Sequence, residues 1–148
     1  MKMVIQRVSR AEVRVAGESV ARIGLGMLAL VGLERGDGRA QLERAARKLA
    51  TLRVFEDGAG RMNLGLGEVG GAVLAISQFT LAGSIRKGRR PSFDRAMEGA
   101  AAQPLFDVFV ELLRAEGVRV ETGVFGAKME VELVNSGPVT LIWEDSPE

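Results

Sequence analysis

Apolar and polar positions alternate from the first residues. Met3, Ile5 and Val8 mark residues 3–8 as a strand, and Val13 and Val15 continue the alternation. Ala16-Gly17-Glu18 offers a turn, so Val20 to Ile23 can return as a hairpin. Residues 27–33 are apolar without interruption, which suits a strand buried on both faces. Asp37 is placed to cap a helix in which Leu42, Ala45, Ala46, Leu49 and Leu52 recur at helical spacing. Residues 53–55 predict a short strand, and the glycine-rich stretch 57–71 predicts a loop. A second short apolar run, 72–76, reads as a central strand that leads directly into Ser77-Gln78-Phe79-Thr80-Leu81. Pro104 suits the first turn of a second helix, with Leu105, Val108, Phe109, Leu112 and Leu113 as its buried face and Gly117 as its C-terminal cap. Residues 118–121 predict a strand. Met129, Val131 and Leu133 alternate with Glu130 and Glu132 in another, and 139–143 forms the last.

No repeat, linker or boundary divides residues 1–148. The reading is a single domain of mixed α/β class: a strand-rich, curved or barrel-like mixed sheet with two amphipathic helices. Strands that do not alternate with helices argue against a doubly wound parallel sheet.

Composition narrows the function. At 148 residues, 47% hydrophobic and 26% charged, the chain fits an ordinary soluble domain. It has no apolar run long enough for a membrane helix, and its N-terminus lacks the pattern of a signal peptide, so a cytoplasmic location is expected. It contains no His, Cys or Tyr. A Ser-His-Asp or Cys-His site is therefore excluded, a zinc site is not expected, and no phosphate-binding glycine loop follows a strand. Net charge is only +1, but Arg86, Lys87, Arg89, Arg90 and Arg95 crowd residues 86–95 against one Asp94. That run is either a solvated basic loop or a surface for phosphates.

Two stretches carry candidate chemistry. In SQFTL, Ser77, Gln78 and Thr80 surround Phe79 at the end of a strand. One reading is a strand with polar outward positions. The other is an oxyanion site made by successive backbone N–H groups, with Thr80 as nucleophile or water-orienting hydroxyl. As a nucleophile Thr80 would need a base, and no His supplies one. The stretch VNSGPVT holds Gly137 and Pro138. Spacing alone favours a tight hairpin between the last two strands. The alternative is a cis Gly-Pro bond whose carbonyls, bare of side chains, accept an ammonium group.

Taken together, Ile5-Gln6-Arg7-Val8, Arg61-Met62-Asn63-Leu64, SQFTL, Arg90-Pro91-Ser92-Phe93, the run from Thr122 to Ala127, and Asn135-Ser136-Gly137-Pro138-Val139-Thr140 resemble the D-aminoacyl-tRNA deacylase family nearly end to end. The resemblance implies a homodimer that hydrolyses the ester joining a D-amino acid, or glycine, to the 3′ end of tRNA. It implies no metal, no organic cofactor, no membrane and no DNA partner. It places a cis Gly137-Pro138 in the partner's active site as a filter against L side chains, and puts catalysis at Ser77, Gln78, Phe79 and Thr80. It draws Arg86, Lys87, Arg89 and Arg90 toward tRNA phosphates, with Arg90 equally suited to packing beside Pro91 and Phe93. Phe125 and Met129 either line an adenosine pocket or belong to the core, where Met129 fits best. A non-catalytic RNA-binding module is the main competitor. The small number of Phe and Trp residues, most of them fitting the core, counts against it. A purely structural dimer is the third reading.

Overall fold

A computed structural model describes residues 1–147. Its sheet is organised by β1 (Lys2–Val15), which pairs antiparallel with β8 (Glu130–Glu144) along one edge over nearly its whole length. The other edge is divided. Residues 2–8 pair with β3 (Gly26–Gly32) and residues 11–15 with β2 (Glu18–Ile23), both antiparallel. β3 runs parallel to β6 (Ala72–Ser77), and β6 parallel to β7 (Arg119–Thr122). The helices α1 (Arg39–Thr51) and α3 (Gly99–Ala115) lie in the crossovers, together with a small hairpin of β4 (Phe55–Glu56) and β5 (Met62–Leu64) and the one-turn helix α2 (Leu66–Val69). The result is the expected mixed, barrel-like sheet in a single α/β unit, in which α1 and α3 are the two expected amphipathic helices and the described residues add the one-turn α2.

Two apolar clusters fill the two sides of the sheet. Met27, Ala29, Val31, Val73 and Ala75 meet α1 and α3, while Leu28, Leu74 and Ile76 point into the concave side with Val8, Ala11 and Val13. This explains the uninterrupted apolar runs in β3 and β6, because both of their faces are buried. β1 changes sides partway. Met3 and Ile5 face the helices, but Ala11 and Val13, of the same parity, face the concavity. The switch falls at exposed Ser9 and Arg10, where the pairing with β8 shifts register. A bulge of one residue reverses every later side chain.

Several expected boundaries moved. Residues 3–8 and 13–15 belong to one strand, which turns back through Ala16 and Gly17, both at positive φ (51° and 81°). Asp37 does not cap α1. Its carboxylate takes the Glu34 N–H at 2.7 Å and the Met1 ammonium at 2.8 Å, and Gln41 instead bonds the Gly38 N–H at 2.8 Å. α3 starts before Pro104, since Gly99 to Ala102 include three alanines that favour helix and Pro104 removes only one N–H. The glycine-rich stretch contains α2 and β5. The largest revision concerns the last two strands: they are one strand, β8, both of whose halves pair with β1 in the same direction.

Phe109 is fully buried on the sheet-facing side of α3. Phe109→Ala is expected to cost about 3–5 kcal/mol, read as a lower urea midpoint with an unchanged slope.

Candidate functional site

Ser77 is the last residue of β6, paired with Val31 of β3. The Gln78 N–H adds one more bond to the Val31 carbonyl at 2.7 Å. The chain then breaks into a 3-10 turn, Phe79–Ala82, closed by Leu81 N–H to the Gln78 carbonyl (3.2 Å) and Gly83 N–H to the Thr80 carbonyl (2.9 Å). Gly32 makes room beneath it, since a Cβ there would lie 2.8 Å from Leu81 Cβ. Phe79 and Thr80 are exposed and supply the first N–H groups of the turn, which have no carbonyl partner within it. The Gln78 N–H, by contrast, is engaged in the sheet. The Gln78 side-chain amide donates to Thr80 Oγ1 at 2.6 Å. Among the described residues no carboxylate bonds that hydroxyl, so nothing stands ready to take its proton.

Beside this strand end lies a cavity of about 490 Å³. Ser77, Gln78 and Phe79 form one wall, and Phe125, Met129 and Met97 contribute others. Phe125 is half-buried and packs on Phe106, with ring centroids 6.2 Å apart. Met129 precedes β8 rather than opening it, and it both lines the cavity and packs against the concave cluster. Its sulfur sits over Gly123, where a Cβ would come within 2.6 Å. Thr80, Gly137 and Pro138 are not in the cavity wall of their own chain.

Gly137 and Pro138 stand on an outward excursion of β8. Gln6 pairs with Thr140 and Val8 with Asn135, five residue steps along β8 against two along β1, so three residues are extruded opposite Arg7. The Gly137–Pro138 bond is cis, and both residues are exposed. Asn135 closes the excursion. Its Oδ1 accepts the Val139 N–H at 2.7 Å, and its Nδ2 donates to the Val139 carbonyl (3.2 Å) and to Thr140 Oγ1 (2.9 Å). Arg7 holds it from below. Its guanidinium is buried and donates to the Ser136 carbonyl at 2.8 Å and the Val54 carbonyl at 2.7 Å, with Glu56 at 3.9 Å. Asp57 closes the adjoining hairpin turn. The N–H groups of Arg61 and then Ala59 hold its carboxyl below the usual range. A Cβ on Gly137, at φ +136°, would lie 2.9 Å from Arg7 Nη2. Reading the sequence gave Arg7 and Asn135 no role. One signal was present: Arg7 occupies the apolar face set by Met3 and Ile5.

Arg86, Lys87, Arg89 and Arg90 are exposed and form no ion pair among the described residues. Their loop is closed by reciprocal Ser84–Ser92 backbone bonds of 2.7 and 2.9 Å. Arg95, beyond it, reaches buried Glu34 at 3.5 Å. Phe79 and Phe93 are not core residues. They are 55% and 36% exposed and meet edge to face.

The model of the family described as D-Tyr-tRNA(Tyr) deacylase matches residues 4–144. A D-aminoacyl-tRNA deacylase of Thermomicrobium roseum is 58% identical over the whole chain and 96% of its own length. One of Anaeromyxobacter dehalogenans is 56% identical over 96% of this chain and 95% of its own. Among solved structures, a c-Myc DNA unwinding element binding protein superposes with a TM-score of 0.93 at 39% identity, covering 99% of both chains. A probable eukaryotic D-amino acid tRNA deacylase superposes at 0.83 over 96% of this chain and 97% of its own, and at 20% identity it speaks for the fold alone.

Asn135→Ala removes both bonds to Val139. The Val139 amide is expected to exchange its hydrogen about 10-fold faster, while amides in β3 and β6 keep their protection; an unchanged Val139 rate would show that Asn135 does not hold the excursion.

Proposed function

The chain belongs to the D-Tyr-tRNA(Tyr) deacylase family and is a hydrolase of D-aminoacyl-tRNA; from that premise we propose how it separates D from L substrates and how it cleaves the ester without a side-chain base. The terminal adenosine of tRNA occupies the cavity between Phe125 and Met129, and the aminoacyl ester lies across the end of β6. Gly137 and Pro138 of one protomer enter the site of a second copy in a homodimer. Their carbonyls take the substrate ammonium, and the surrounding backbone clashes with an L side chain. A wall of backbone rejects every L side chain alike, so many D-amino acids are accepted. Glycine has no side chain to reject, so glycyl-tRNA is hydrolysed too.

The observation that carries this reading is the excursion itself. It is exposed, it stands outside its own chain's cavity, and Arg7 and Asn135 hold it in place. Such a segment is suited to a site on another molecule.

The ester is already activated, because the neighbouring ammonium withdraws electrons from its carbonyl. Water adds to that carbon and its proton passes through the adjacent ribose hydroxyl. The oxyanion forms against the N–H groups of Phe79 and Thr80, and collapse expels the ribose oxygen, which takes the proton. The products are the free D-amino acid and tRNA. The protein supplies position and oxyanion stabilisation, and no cofactor enters. Arg86, Lys87, Arg89 and Arg90 contact phosphates near the acceptor end without reading sequence. The work belongs with tRNA in the cytoplasm; none of the described helices is long and apolar enough to cross a membrane.

Ester loss from D- and L-aminoacyl-tRNA, followed in chelator, is expected to be fast for D and near background for L. Equal rates would eliminate the chiral wall, and stereoselective binding without turnover would favour a binding module. Thr80→Ala is expected to lower kcat less than about 10-fold, because the oxyanion donors are backbone groups. A loss on the order of a million-fold, as when a hydrolase loses its serine nucleophile, would make Thr80 the nucleophile.

A further inference from the structure

Phe79 and Phe93 form an exposed aromatic pair in a protein whose Phe55, Phe106 and Phe109 are buried. Their centroids are 5.3 Å apart at 68°. Phe93 depends on Gly83 for its seat, where a Cβ would stand 2.8 Å from the ring and 2.9 Å from the Thr80 carbonyl. The pair is continuous with the cavity, because Phe79 is part of its wall. On the same loop Ile85 is 81% exposed, and it is followed by Arg86, Lys87, Arg89 and Arg90. Aromatic faces beside a run of cations that pair with no carboxylate among the described residues are what single-stranded nucleic acid requires: bases stack and phosphates are neutralised. Burying this face against a second copy would instead set four cations beside four more, which is costly.

We propose that Phe79 and Phe93 are a stacking platform for the base preceding the terminal adenosine of the single-stranded CCA end of tRNA, with Arg86, Lys87, Arg89 and Arg90 on the adjoining phosphates. This rests on the deacylase reading and extends its substrate by at least one nucleotide beyond the cavity. Stacking tolerates any base, so the platform registers that the end is single-stranded and stacked, not which tRNA bears it. It would place the ester at the end of β6 by fixing the strand on the side away from the scissile bond.

The test compares kcat/KM for one D-amino acid esterified to adenosine alone and to a CCA trinucleotide. The wild-type chain is expected to prefer the trinucleotide by about 10-fold or more, within the range that stacking one base supplies. Phe93→Leu, which keeps bulk over Gly83 but loses the aromatic face, is expected to lower that ratio several-fold, the phosphate contacts keeping the remainder, and Phe93→Trp to keep it. No preference in the wild-type chain, or the same preference in Phe93→Leu, overturns the proposal. So does a dimer that dissociates in Phe93→Leu, which would assign the face to a second copy. If neither ester is cleaved, the deacylase reading has failed, and anisotropy of a 5′-labelled, uncharged CCA oligonucleotide still decides the platform. Affinity about 10-fold weaker in Phe93→Leu supports it, and equal affinity refutes it.

Discussion

The fold depends on one strand serving three partners. β1 offers nearly its entire length to β8 and divides its other edge between β3 and β2. A flat strand could not do this. The bulge at Ser9 and Arg10 turns the apolar face from the helices to the concavity, so each half of β1 faces its own cluster. The site inherits this arrangement. Arg7 sits just before the switch, and the extra residues of β8 are extruded directly opposite it.

What could be read from the sequence was what local pattern decides. β3 and β6 were clear because burial on both faces leaves unbroken apolar runs. The apolar face of α1 was clear because its spacing is periodic, whereas α3 is apolar around more of its circumference: its buried face runs through Ala102, Phe106, Phe109, Val110 and Leu113, and the expected Leu105, Val108 and Leu112 are only half-buried. The boundaries that moved were those settled at a distance. Asp37 looks like a helix cap until the Met1 ammonium is brought against it. The Gly-Pro pair looks like a hairpin turn because Pro cannot join a ladder, yet pairing with β1 carries β8 past it on both sides. The strand end of SQFTL was legible as a motif. The engagement of the Gln78 N–H was not, since it depends on Val31, in a strand far earlier in the chain.

The same distinction applies to the clamp. Arg7 and Ser136 are 129 positions apart, and no periodicity joins them. Only the misfit of a guanidinium among Met3 and Ile5 signals that something must satisfy it, since a buried charge needs partners. Two backbone carbonyls do so. Exposure was likewise hidden: a phenylalanine in a short apolar motif looks like core until the chain turns away from the sheet and leaves Phe79 at its rim.

The excursion of β8 has a thermodynamic consequence. A free loop loses conformational entropy when it is captured, and that loss subtracts from affinity. Here the segment is flanked by ladder pairs, bridged by the Asn135 amide and anchored by Arg7, so it is ordered when the chain folds. A surface that received Gly137 and Pro138, as proposed, would meet a rigid probe, and little of the contact energy would be lost to immobilising it. Recognition there would be governed by shape rather than by adaptation, which favours a sharp threshold between ligands that fit and ligands that do not.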